Sequence, residues 1–283
     1  MAGIWSGFGS LGLGDLDGAE LFEDKKDKDQ QAKAEPPKEE DFLLEKVVKC
    51  PVCDAETSQK IMKTGKAKLI ATDKDLHPRY AHIDSSKYEV YQCDACGYAA
   101  LAKDFAHISE KQGRMIQEGI SSRVLIKPSE GTTYTYEEAV ERYKLALACA
   151  VVKKAKASEK AYICLKSAWL FRTFAESKEQ EGDTETAKEL KHVEQEYLGK
   201  AYQGFSKAVV DERFPLCGMD ELTIDYLLAA LAYETGQLDS ASRMVYKILQ
   251  NPNASARVKD KTSFLKDDIL AEVKRKKAEK QTE

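Results

Sequence analysis

Two Cys-x-x-Cys pairs constrain this chain more than any other feature. Cys50 and Cys53 sit in "KCPVC", Cys93 and Cys96 in "QCDACG", with 39 residues between the pairs. A Cys-x-x-Cys turn aims two sulfurs at one point, and two such turns complete a tetrahedron around one ion. The spacing predicts a zinc ion (Zn2+) held by Cys50, Cys53, Cys93 and Cys96. Two unrelated dithiols would not explain why both pairs carry the same turn. Pro51 and Gly97 suit a tight bend. The spacer exceeds the usual zinc-ribbon length of about 15–20 residues, so a hairpin is expected to loop out of it.

Four thiolates fill a tetrahedral shell, whereas a catalytic zinc keeps a position for water. The ion is therefore expected to be structural, with its binding free energy acting as folding free energy. A redox switch, in which oxidised thiolates release the metal, is the weaker alternative. The chain has seven cysteines, three of them isolated in helical segments. An odd count with two paired knuckles fits metal binding in a reducing, cytoplasmic setting better than a secreted disulfide framework. Cys149, Cys164 and Cys217 read as small core residues. The start, "MAGIWSGFGS", lacks the basic and apolar regions of a secretory signal. The longest apolar run, "LALACAVV" at 145–152, is too short to cross a bilayer, so no membrane association is expected.

Composition shifts divide the chain into three expected parts. Residues 1–41 carry 11 acidic and 5 basic side chains and a Pro-Pro pair; such a segment has little to bury and should be a disordered tail. Gly7, Gly9 and Gly12 match the letters of a dinucleotide fingerprint, but no strand precedes them, so that reading fails. The same glycine-rich stretch could serve as a short docking motif, though a floppy terminus is the plainer reading. Residues 42–103 form the zinc-ribbon-like four-cysteine module, in which "KYEVYQC" reads as an alternating strand entering the second knuckle. Residues 104–280 read as helical. The expected fold is α+β, mainly α: a small β module followed by a tetratricopeptide-like helical repeat or bundle.

The loop "ATDKDLHPRYAHID" at 71–84 is dense in functional side-chain types. Asp73, Asp75, His77, Arg79 and Tyr80 are its candidates. One use is a ligand pocket with Arg79 and His77 facing an anion. The favoured use is a structural lock, with Asp73 or Asp75 pairing Arg79, Pro78 fixing the turn and Tyr80 packing behind the zinc knuckle. Lys60, Lys63, Lys66 and Lys68 cluster nearby. The residues between the knuckles hold seven basic and six acidic side chains, so a solvated face is preferred over a phosphate-binding one.

Taken together, "KCPVC", "TDKDLHPRY" and "YEVYQCDACGYAALAKDF" resemble the bacterial domain-of-unknown-function family numbered 2225. The resemblance is specific from about Lys46 to Phe105 and looser over the helices. It implies a cytosolic protein with a metal-binding front, and that the 71–84 loop belongs to the module. It implies no catalytic residue.

Tetratricopeptide units pair two helices with small residues where they cross. "DYLLAALAYETGQLDSASRMVYKILQNP" has that layout, with Leu228, Ala229, Gly236, Ala241, Val245 and Ile248 in place. Ala139, Tyr143 and Ala146, then Ala201, Phe205 and Ala208, repeat the second-helix signature. Phe174, Ala175, Gly182 and Ala187 resemble a helix, a turn and the next helix. The alanine spacings of 62 and 40 residues differ from 34, so the repeat is degenerate. Trp169, Phe171 and Phe174 read as core. No nucleophile–base pair, metalloprotease motif or phosphate loop appears. The expected function is a non-enzymatic interaction or adaptor protein binding a protein or peptide partner. Two alternatives follow it: a nucleic-acid-associated zinc-ribbon factor, and an enzyme or small-molecule sensor built on Asp75, His77, Arg79 and Tyr80.

Overall fold

The computed structural model describes residues 37–126, 129 and 131–282, with side chains to residue 279. The tail expected at 1–41 lies largely outside them, as do the Gly7–Gly12 pattern and the candidate docking motif. The chain from Lys38 onward forms one compact unit. A 3-10 turn at Glu39–Phe42 opens it. Glu39 accepts from Lys87 Nζ at 2.7 Å and from the Tyr88 hydroxyl at 3.0 Å, while Phe42 is buried.

Two antiparallel hairpins carry the cysteines. β1 (Leu43–Lys49) pairs with β2 (Glu56–Met62) from Leu43↔Met62 to Lys49↔Glu56. Their connection is the first knuckle. Inside the spacer, β3 (Leu69–Thr72) and β4 (Pro78–Tyr80) form the looped-out hairpin, its turn made by residues 73–77. β5 (Val90–Gln92) pairs with β6 (Ala99–Leu101), and the second knuckle joins them.

The "KYEVYQC" segment departs from the expected alternation. Ser85–Tyr88 is a 3-10 turn capped by Asp84, which accepts from the Ser86 N–H at 2.9 Å. The strand starts only at Val90, and Val90, Tyr91 and Gln92 are all buried. The reason is tertiary: α2 packs on this strand and β2 approaches it too, so no face is left for water.

Seven α-helices follow among the described residues: α1 (Glu110–Ile116), α2 (Tyr136–Val152), α3 (Ala157–Glu181), α4 (Thr184–Asp211), α5 (Glu221–Glu234), α6 (Leu238–Gln250) and α7 (Ala256–Thr282). The helical reading from 104 onward needs one correction. Residues 102–109, 122–126 and 131–135 are not helical; "GTTYT" before α2 lacks the helix formers that would offset its glycine and β-branched residues. The Thr135–Glu138 capping box forms as its sequence requires, with the Glu138 N–H on Thr135 Oγ1 at 3.1 Å and the Thr135 N–H on Glu138 Oε2 at 2.8 Å. Gly182 ends α3 at φ 86°, and Asp183 then caps α4.

From α2 on, each helix packs against the next, and α3 and α4 run against each other over most of their length. Small residues sit where the helices approach: Ala139, Ala146, Ala187, Ala201, Ala208, Ala229 and Ala241 are all buried. Gly204 marks the tightest approach. A Cβ there would stand 2.7 Å from Ala161 Cβ, closer than carbon atoms tolerate. One buried cluster fills the α3–α4–α5 interior around Leu165, Leu198, Phe205 and Leu227. Another couples α2 and α3 to β5 and β6 through Val90, Leu101, Tyr143 and Phe171.

Candidate metal centre

The two knuckles are built alike. In each, the first cysteine's N–H donates to the carbonyl five residues on: Cys50 to Ala55 at 2.9 Å, Cys93 to Tyr98 at 2.8 Å. The residue after the second cysteine donates back to the first cysteine's carbonyl: Asp54 at 3.0 Å, Gly97 at 2.9 Å. That residue must adopt positive φ, 62° at Asp54 and 74° at Gly97. Gly97 has a second constraint, because Val124 and Ile126 lie 3.4 Å from where its Cβ would be.

These turns bring the four sulfurs together. Cys50 and Cys96 Sγ are 3.6 Å apart, as are Cys53 and Cys93 Sγ, and all four lie within 4.8 Å of one another. Each short contact takes one sulfur from each knuckle. A disulfide needs about 2.05 Å, so these are free thiols. Bonds of about 2.3 Å to a tetrahedral zinc place the sulfurs about 3.8 Å apart, which the observed spacing fits. The chemistry of the donor set agrees. Cys50 is lowered to about 5 by the Cys96 thiol hydrogen bond, helped by the Val52 N–H at 3.4 Å. Burial pushes Cys93 up to about 11. Cys50 thus favours its anion while Cys93 and Cys96 resist, and a cation is what would let these thiols ionise together.

The centre is tied into the helical part. Tyr98, Phe105, Ile116, Ile120 and Cys149 pack with Cys50, Val52 and Cys93 in one buried cluster. Gln117 donates to the Val52 carbonyl at 2.7 Å, and the Ala99 N–H reaches Cys149 Sγ at 3.4 Å. Cys149 and Cys164 are buried and Cys217 partly so. Burial raises all three thiols.

The β3–β4 turn points its polar side chains at the helices. Asp73 accepts from Arg79 Nε at 2.8 Å and Nη2 at 2.7 Å. Asp75, only 1% exposed, pairs instead with Arg172 of α3: Nη1 at 3.0 Å and Nη2 at 2.7 Å, with the Trp169 indole N–H donating at 2.9 Å. Arg172 Nη1 also reaches Asp73 at 3.1 Å, and its Nε reaches Glu194 of α4 at 2.7 Å. Arg79 completes its fork on Glu176, Nη1 at 2.8 Å and Nη2 at 2.9 Å. The His77 ring stacks on Trp169 with centroids 4.9 Å apart, and its Nε2 lies 3.2 Å from Ser86 Oγ. Tyr80 packs with Phe42, Leu43, Ile83, Tyr88 and Tyr134, not behind the knuckle. Burial alone would raise the Asp73 carboxyl. Its neighbours His77 and Arg79, with Arg172 behind, outweigh that and hold it well below the usual range.

Sequence reasoning missed Arg172, Glu176 and Glu194. The available signal was modest: Arg172 and Glu176 follow Trp169 at helical spacing on α3, two charged residues within an otherwise largely apolar stretch. Lys60 is a further correction. It is buried, bonded to Ser129 at 2.8 Å and held over the Tyr134 ring at 4.4 Å, not part of a solvated face. Arg142, also buried, sits over the same ring at 4.3 Å and donates to the Val90 carbonyl.

A family model described as "Uncharacterized protein conserved in bacteria (DUF2225)" matches residues 43–269. The match runs from β1 into α7 and takes in both knuckles. No curated protein and no solved structure matches the chain.

Proposed function

The chain belongs to that bacterial family, and from this premise we propose that it is a non-enzymatic, cytoplasmic interaction protein whose zinc site is structural. The observation that carries the reading is the convergence of four cysteine sulfurs within 4.8 Å at the edge of a buried cluster, Cys50 and Cys93 buried and Cys53 and Cys96 partly so. Cys50, Cys53, Cys93 and Cys96 would hold the ion, which supplies four strong bonds to two hairpins too short to be stable alone. With four protein ligands no position remains for substrate. The 42–103 segment then acts as a zinc-ribbon-like brace, and the helices at 104–280 act as a tetratricopeptide-like array.

Recognition falls to a groove where α2 and α4 rise on either side of α3. Its volume is about 790 Å³; Leu147, Phe171, Val193 and Tyr197 give it an apolar floor, and Lys144, Lys200 and Gln203 stand at the rim. A concave helical surface of this kind suits a protein or peptide segment. The other readings lose support. A nucleic-acid role would draw on the hairpin lysines, and Lys60 is committed to the interior. An anion-binding enzyme or sensor would draw on Arg79, whose fork is already on Asp73 and Glu176. Among the described residues, no helix is long and apolar enough to cross a membrane.

The test has two parts. Elemental analysis of anaerobically purified protein should find zinc, and Cys93→Ser should lose it. Cross-linking with mass spectrometry should then identify a specific partner contact on α2 or α4, lost in a Lys144→Glu/Lys200→Glu variant of unchanged circular dichroism. Metal-free protein, or a partner contact indifferent to the groove, would overturn the corresponding half.

A further inference from the structure

A second cavity opens at the seam between the β3–β4 hairpin and α3. It measures about 380 Å³, in the range of small-molecule sites, and Arg79, Tyr80, Asp84, Tyr136, Glu176 and Gln180 are among the residues lining it. Its electrostatics follow from who is already paired. Arg79 is taken by Asp73 and Glu176. Arg172, behind it, is taken by Asp73, Asp75 and Glu194. Asp84 is a further carboxylate in the cavity lining.

Asp84 is the carboxylate left over. It accepts from the Ser86 N–H at 2.9 Å and the Thr173 hydroxyl at 2.5 Å, and it meets no cation among the described residues. Those two bonds fix its orientation and supply no counter-charge. Tyr136 stands near it, stacked on Phe174 with centroids 4.9 Å apart, and Tyr80 contributes a second ring to the wall. His77, also in the lining, turns its Nδ1 toward Asp73 Oδ2 at 3.5 Å, so it is committed to the hairpin. The lining therefore combines a carboxylate that has no counter-charge with the Tyr80 ring and the shared carboxylate of Glu176. An anion finds the one arginine neutralised. A ligand bearing positive charge finds a carboxylate without a counter-charge, beside the Tyr80 ring, whose face attracts cations.

We propose that this cavity binds a small organic cation, a primary amine or guanidinium compound. Asp84 is its charge partner, and Glu176 accepts a second N–H through a lone pair that Arg79 leaves free. Tyr80 flanks the cationic group, the Tyr136 ring being held already between Phe174 and Lys87. The proposal is independent of the partner groove, which lies on other residues.

Isothermal titration of the full-length, metal-loaded protein with agmatine, putrescine and spermidine tests it, with glucose and inorganic phosphate as controls. At least one amine should bind saturably. Affinity should fall at least about tenfold in Asp84→Asn and in Gln180→Arg. The second variant places a competing cation at the exposed rim and alters no buried group, so it decides the matter if Asp84→Asn does not fold. The proposal is overturned by any of three results: no saturable binding of the three amines at millimolar concentration, equal binding of glucose or phosphate, or unchanged amine affinity in Gln180→Arg.

Discussion

The Arg172–Asp75 pair offers the sharpest test of how the hairpin is anchored to the helices. In Arg172→Met the side chain keeps most of its length and loses its charge. Asp75, 1% exposed, then loses its two guanidinium bonds at 3.0 and 2.7 Å and keeps the Trp169 indole at 2.9 Å. Glu194 loses its 2.7 Å partner, and Asp73 loses one of its two arginines. Removing one member of a buried ion pair costs about 3–5 kcal/mol, against a total stability of about 5–15 kcal/mol. With a urea m-value of about 3 kcal/mol/M, the midpoint should fall by about 1–1.7 M. The assay is urea unfolding followed by circular dichroism at neutral pH. Most of that cost is the stranded charge, so adding Asp75→Asn to Arg172→Met should restore at least about 1 kcal/mol. The single variant should also gain stability on mild acidification. Glu194, which burial already raises, loses the guanidinium that holds it down, so the folded state binds the extra proton. A loss below about 1 kcal/mol for Arg172→Met, or no recovery in the double variant, would show that the network is incidental to the fold.

Three further outcomes are expected. Cys93→Ser should reduce zinc from about one per chain to near none and lower Tm by more than about 10 °C, read by elemental analysis and calorimetry; a thermally unchanged variant would deny the metal a structural role. Gly204→Val should cost about 1–3 kcal/mol through its clash with Ala161, whereas Gly199→Ala, with nothing within 4 Å of its Cβ position, should be neutral or stabilising; equal effects in chemical denaturation would contradict the close helix crossing. Asp73, held below its ordinary value by its neighbours, contributes stability that is complete above its unfolded value near 3.9 and is lost as pH falls further. Asp73→Asn should therefore flatten the acid limb of a stability–pH profile; an unchanged limb would argue against the pairing with Arg79.

What could be read in advance was the local chemistry. The knuckles are specified by their own few residues, since the Cys-x-x-Cys spacing and the positive-φ position after it act over one turn. The Thr135–Glu138 box, the Gly182–Asp183 break and the bounds of α4 are likewise settled by neighbours within one helical turn. The alanines at 139, 201, 208, 229 and 241 could be recognised because helical periodicity places them on one face.

Tertiary structure decided the choices among equivalent partners. Arg79 had several acidic residues within reach in the sequence. Asp75 went instead to Arg172, 97 residues away, because packing the hairpin on α3 aims the turn at that helix. Similarly, burial of Val90, Tyr91 and Gln92 together erased the alternation that would have marked a half-exposed strand, and Lys60 left the surface because Tyr134 covers it. Turn, cap and period are short-range preferences carried by residue type. Which of several like charges meet, and which strand has a face left for water, depends on distances that exist only after the hairpins and helices have packed.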